Sequence, residues 1–101
     1  MREMKLTVHP FEMGEPKEAA VKVLEEAEEA YNAWDTYADS IAPDEEGPMP
    51  DYIVDGDRER FADEIADTIQ AACNLAARYD LDIEAAMERC EQRNRERGRY
   101  E

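Results

Sequence analysis

The sequence predicts an all-α protein, a small antiparallel helical bundle completed as a four-helix-type core by a second chain. Three observations carry this. Apolar residues recur at steps of three and four through long segments. Proline and glycine concentrate between those segments rather than within them. Alanine populates the same faces, where its small side chain lets helices approach closely. At 101 residues the chain is expected to be a single domain spanning 1–101.

Residues 1–15 read as an extended amino-terminal arm, because His9-Pro10 and Gly14 punctuate it. Pro16 suits the first position of a helix, where its missing N–H costs nothing. From there Ala20, Leu24, Ala27, Tyr31, Trp34, Ala38 and Ile41 form a helical stripe expected to be buried, with Trp34 in the core. Residues 43–57 carry Pro43, Gly47, Pro48, Pro50 and Gly56 and read as a loop insertion, with Asp57 as the N-cap of the next helix. That second helix is expected over 58–79, burying Phe61, Ile65, Ile69, Ala72, Ala76 and Tyr79. Asp80 and Asp82 mark a break and a new N-cap. A third helix over 83–97 is expected to bury Ala86, Met87 and Cys90 and to stop near Gly98.

The formal charge of -15, from 27 acidic against 12 basic residues, argues against nucleic acid and against anionic membranes as partners. No amino-terminal segment resembles a secretion signal and no apolar run approaches a membrane span, so a cytoplasmic location is expected. Cys73 and Cys90 lack CxxC spacing and read as reduced, small apolar side chains. A self-repelling chain of this size gains stability from oligomerisation or from bound cations.

The stretch "EEAEE" at 25–29 packs four glutamates into five helical positions. Like charges one turn apart each cost a helix roughly 0.2–0.5 kcal/mol, so either the face is solvated or something positive binds it. At about 100° per residue, Glu26 and Glu29 share a stripe with Lys22 and Ala33, beside the apolar face. Glu64 and Asp67 share a matching stripe with Ala71, Asn74 and Arg78 on the second helix. Two carboxylate pairs can therefore face one another across two helices. Hard divalent cations take such oxygen ligands, and Mg²⁺ adds waters and phosphate oxygens in octahedral geometry.

These motifs, "EExxE" at 25–29 and "ExxD" at 64–67, together with "KVLEEAEEAY", "EIADTIQAACNLAARYDLD" and "AAMERCEQRNRERGRY", resemble the MazG-like all-α nucleoside triphosphate pyrophosphohydrolases of small phage and prophage type. The resemblance covers most of residues 16–100. It implies an enzyme that cleaves a nucleoside triphosphate to monophosphate and pyrophosphate, by water attack at the α-phosphorus assisted by Mg²⁺, with Mn²⁺ as a substitute. It also implies Glu26, Glu29, Glu64 and Asp67 as metal ligands and a catalytic, water-orienting role for Glu25. Substrate contacts would come from Lys22, Asn74, Arg93, Asn94 and Arg97. A homodimer or homotetramer is the expected assembly. Thirty-four residues separate Glu29 from Glu64, more than is usual in that family, and this leaves the substrate open.

Other chemistry finds less support. The segment from Asp51 fails as an EF-hand, having Ile53 at position three and Ala62 at position twelve. A ferritin-like di-iron site needs ExxH pairs, which are missing. His9, the one histidine, stands apart from every motif, although it and Phe11 could line a base pocket. The alternative function is a noncatalytic acidic helical module that binds nucleotide or a protein partner.

Overall fold

A computed structural model of the chain describes residues 2–42 and 49–101. Three helices occupy the described residues, with no strand among them: α1 spans Pro16–Ile41, α2 Asp51–Arg78 and α3 Ile83–Glu96. α1 starts at its proline as expected. Gly14, at φ +51°, turns the arm into it.

α2 begins seven residues before the sequence predicts. Asp51–Asp57 is helical, Pro50 stands immediately before the first turn, and the Ile53 and Val54 N–H groups both donate to its carbonyl. Asp57 therefore lies inside the helix and caps nothing. The prolines end at Pro50, where a missing N–H is tolerated. Gly56 alone opposes a helix downstream, and one glycine costs only about 1 kcal/mol. Half-buried Ile53, Val54 and Asp57 anchor the added turns. Of the expected 43–57 loop, residues 43–48 lie outside the described residues.

α1 and α2 pack as an antiparallel hairpin, which is the principal helix contact of the chain. On α1 the face joining them is not the expected stripe, whereas on α2 Ala76 of the expected stripe is buried and Phe61 and Ile69 are half-buried. Ala19, Glu26, Ala33 and Ser40, spaced by seven, are buried on α1, and Ala71, Asn74 and Ala76 on α2. Tyr37 meets Phe61 near the closed end, with ring centroids 6.0 Å apart. The expected core residues Leu24, Tyr31 and Trp34 remain 72%, 63% and 46% exposed, and Ile65 and Tyr79 are also exposed. Small side chains at heptad spacing let the two backbones come together. The large apolar residues are displaced to one flank.

α3 is capped by Asp82, whose Oδ1 accepts from the Ala85 N–H at 3.0 Å. It ends at Glu96, and Gly98, at φ +70°, turns the chain two residues beyond. Beyond it, the Tyr100 hydroxyl donates to Glu91 at 2.5 Å and accepts from Asn94. Its expected buried face is open: Met87 is exposed, Ala86 and Cys90 are half-exposed, and no α3 residue is buried. The helix stands off the hairpin, and the chain extends over 51 × 39 × 20 Å.

The early start of α2 has a direct test. A Cβ added at Gly56 meets nothing within 4 Å. Gly56→Ala should therefore raise stability by about 0.5–1 kcal/mol in denaturant melts. A loss of stability would mean that this segment is a turn requiring glycine.

Candidate metal centre

The hairpin brings the two acidic motifs together. α1 carries Glu26 into the helix interface because Glu26 shares its inward line with Ala19 and Ala33. α2 meets it with Glu64 and, less than one turn further on, Asp67. One carboxylate oxygen from each of Glu26, Glu64 and Asp67 lies within 4.8 Å of the other two. The three differ in burial: Glu26 is 8% exposed, Glu64 is intermediate, and Asp67 is exposed at the mouth.

"EEAEE" is therefore divided by the fold. Glu26 alone is sunk between helices, while Glu25, Glu28 and Glu29 face solvent. Lys22 Nζ lies 2.9 Å from Glu26 Oε1 and 3.8 Å from Glu25 Oε2. That lysine satisfies one Glu26 oxygen. The second, Oε2, is buried without a hydrogen-bond partner, as is Oε2 of Glu64. Two carboxylate oxygens without hydrogen-bond partners are costly, since a buried polar atom that makes no hydrogen bond forfeits its hydration.

The protonation equilibria register the crowding. The Glu26 carboxyl is held below its ordinary 4.5, mainly by the hydrogen bond from Lys22 and in opposition to its burial. The Glu29 carboxyl is pushed above 4.5, first by sharing a hydrogen bond with Glu26, then by the charges of Glu26 and Glu64. Lys22 is raised above 10.5 by the same bond to Glu26. Glu29 thus adjoins the cluster through Glu26 without being one of its three close members.

The arm closes the other end of the same hairpin side. Asn74 Oδ1, buried on α2 seven residues beyond Asp67, accepts from the Phe11 N–H at 2.9 Å and from Gln70 Nε2 at 2.8 Å. Gln70 Nε2 also donates to the His9 carbonyl. A cavity of about 420 Å³ opens there, lined in part by Phe11, Met13, Ala19, Asn74 and Arg78. Gln70 has no place in the sequence motifs. Its signal was position, one turn before Asn74 on the same helix.

The remaining expected contacts are elsewhere. Arg93 and Arg97 lie on or just past α3 and pair with no carboxylate among the described residues, and Asn94 is turned to Tyr100. His9 contributes its backbone carbonyl, and no side-chain hydrogen bond of His9 occurs among the described residues. No described helix is long and apolar enough to cross a membrane. No protein-family model, curated protein or solved structure matches the chain.

The raised Glu29 value fixes a pH dependence. The folded chain keeps a proton there that the unfolded chain releases, so this contribution is fully present below 4.5 and is lost as pH rises through the folded value. Glu26 has the opposite sign, and its contribution is lost only as pH falls below 4.5. The metal-free melting temperature should therefore rise as pH falls from neutrality toward 4.5. Glu29→Gln should flatten that rise in thermal melts by circular dichroism, and an unchanged slope would place its origin elsewhere.

Proposed function

We propose that this chain is a divalent-metal-dependent nucleoside triphosphate pyrophosphohydrolase, the activity that the resemblance of its motifs to MazG-like enzymes implies. One observation carries the reading: Glu26 is buried between helices, Glu26 and Glu64 each keep a buried oxygen without a hydrogen-bond partner, and carboxylate oxygens of Glu26, Glu64 and Asp67 lie within 4.8 Å of one another. Such an arrangement raises the free energy of the folded chain unless a cation lowers it.

The donors fit Mg²⁺. All three are carboxylate oxygens, which suit a hard ion, and a half-exposed mouth leaves room for water and phosphate. Oxygens opposite one another across Mg²⁺ are about 4.2 Å apart. One oxygen from each of the three carboxylates lies within 4.8 Å of the others. Glu26, Glu64 and Asp67 hold the ion in this reading, and Glu29 adds a fourth carboxylate from its place against Glu26. Mn²⁺ fits the same oxygen donors.

Bound there, the ion would neutralise phosphate charge and acidify water. Attack of water oxygen on the α-phosphorus breaks the bond to the β-phosphate oxygen, releasing nucleoside monophosphate and pyrophosphate. Glu25, exposed within reach of Lys22, is available to orient that water. Lys22 holds the buried carboxylate and offers the remaining positive charge to the triphosphate. Asn74 has its oxygen committed to the arm, so its amide NH₂ is what faces a sugar or base in the adjoining cavity.

Two measurements check this. Millimolar Mg²⁺ should raise the melting temperature more than NaCl of matched ionic strength, since a ligand selective for the folded state stabilises it by mass action. Equal shifts would show screening only. With Mg²⁺ and a panel of ribo- and deoxyribonucleoside triphosphates, Glu26→Gln and Asp67→Asn should each lower pyrophosphate release by about 100-fold or more, and Glu28→Gln should leave it near the wild-type rate. Stabilisation by Mg²⁺ without release from any nucleotide would favour the noncatalytic binding module.

A further inference from the structure

The carboxylate cluster already has a cation beside it, one that the chain supplies itself. Lys22 Nζ lies 2.9 Å from Glu26 Oε1, the distance of a charge-assisted hydrogen bond. The Lys22 side chain is 36% exposed and that of Glu26 only 10%, so the ammonium reaches in from the solvent side. It satisfies Oε1 alone, and Glu26 Oε2 stays buried without a hydrogen-bond partner. Among the described residues Lys22 is the one basic side chain in a salt bridge, although the chain has 12 basic residues. An acidic chain thus keeps its paired ammonium at its most buried glutamate.

A divalent ion and this ammonium compete for the same carboxylate. An ion held by Glu26, Glu64 and Asp67 would sit about 2.1 Å from each donor oxygen. With the lysine still bonded to the other oxygen of Glu26, two positive groups would flank one carboxylate, where water screens them poorly. At equal distance a dication attracts a carboxylate twice as strongly as an ammonium does, so the lysine is the one to yield. Its stem is flexible, and a second partner is at hand. Glu25 Oε2 lies 3.8 Å from the same Nζ, on an exposed side chain. Both residues line a groove of about 630 Å³ beside the arm, which gives the lysine room to turn.

We propose that Lys22 is the resident counter-cation of the metal-free site, which cedes Glu26 to an arriving divalent ion and transfers its ammonium to Glu25. The exchange rests on reading the three carboxylates as a metal centre. It makes Lys22 a positioning residue that holds Glu26 in place before the metal arrives and limits how tightly the metal alone is bound. Glu25 becomes the carboxylate that receives the displaced ammonium, a role separate from orienting water.

Mn²⁺ alone, titrated into the full chain by isothermal calorimetry without nucleotide, tests the exchange. Lys22→Gln should bind Mn²⁺ about 10-fold more tightly or better, because the competing charge is gone. Lys17→Gln, which removes an unpaired lysine of the same helix, should change the affinity less than about twofold. Glu25→Gln should weaken Mn²⁺ binding in the wild-type chain and have no effect in the Lys22→Gln chain, where no ammonium remains to be received. In ¹⁵N NMR of the wild-type chain, the Lys22 ammonium signal, protected from water by its bond to Glu26, should vanish as Mg²⁺ saturates the site. That measurement decides the matter if Lys22→Gln does not fold. Unchanged or weaker Mn²⁺ binding by folded Lys22→Gln would overturn the proposal and leave Lys22 as a support for Glu26. So would an ammonium signal that persists with Mg²⁺ bound, or a loss from Glu25→Gln that is equal in both backgrounds. Each of these results leaves the metal centre standing, whereas no Mn²⁺ binding by either the wild-type or the Lys22→Gln chain removes both readings.

Discussion

Everything else in this structure is arranged around a carboxylate placed where helices usually keep a methyl group. Glu26 occupies the centre of the α1–α2 contact, on the same line as Ala19, Ala33 and Ser40. Lys22 compensates one of its oxygens from a turn earlier on the same helix, while the other has no hydrogen-bond partner, and neither has one oxygen of Glu64. A buried polar atom left without a hydrogen-bond partner costs roughly 1–3 kcal/mol, against the 5–15 kcal/mol by which a domain is usually stable.

The rest of the interface gives little in return. Its fully buried apolar residues are four alanines, Ala19, Ala33, Ala71 and Ala76. At about 25 cal/mol per Å² of apolar surface, alanine methyls stabilise far less than the leucine, isoleucine and tryptophan left outside. Small residues are nonetheless what the site requires, because they bring the helix axes close enough for carboxylates on both helices to meet. The hairpin sacrifices core volume for proximity. Its large apolar residues are thereby freed for the opposite flank, and α3, with no buried residue of its own, adds no cover.

The arm follows the same logic at the open end. Asn74 is buried but not orphaned, since the Phe11 N–H and Gln70 both donate to its oxygen. The Phe11 bond, with the one from Gln70 to the His9 carbonyl, ties an otherwise irregular segment to α2, beside a cavity lined by both. A buried amide with its partners in place holds geometry at small net cost.

Local periodicity and punctuation determined much of this protein by themselves. Three helices, the proline that opens α1, the aspartate that caps α3 and the shared stripe of Glu64 and Asp67 all follow from spacing and side-chain type within one turn or two. The early start of α2 escaped because Gly56 and the prolines upstream mimic a loop, while tertiary contact at Ile53 and Val54 carries the helix through. Which face of α1 turns inward was a tertiary decision. Hydrophobic periodicity identifies an apolar flank but not the partner that covers it, and close packing of small residues won the contact within the chain. The division of "EEAEE" into one sunken glutamate and three solvated ones follows from that rotation of α1. A helical wheel ranks positions by angle, and only the second helix says where zero lies.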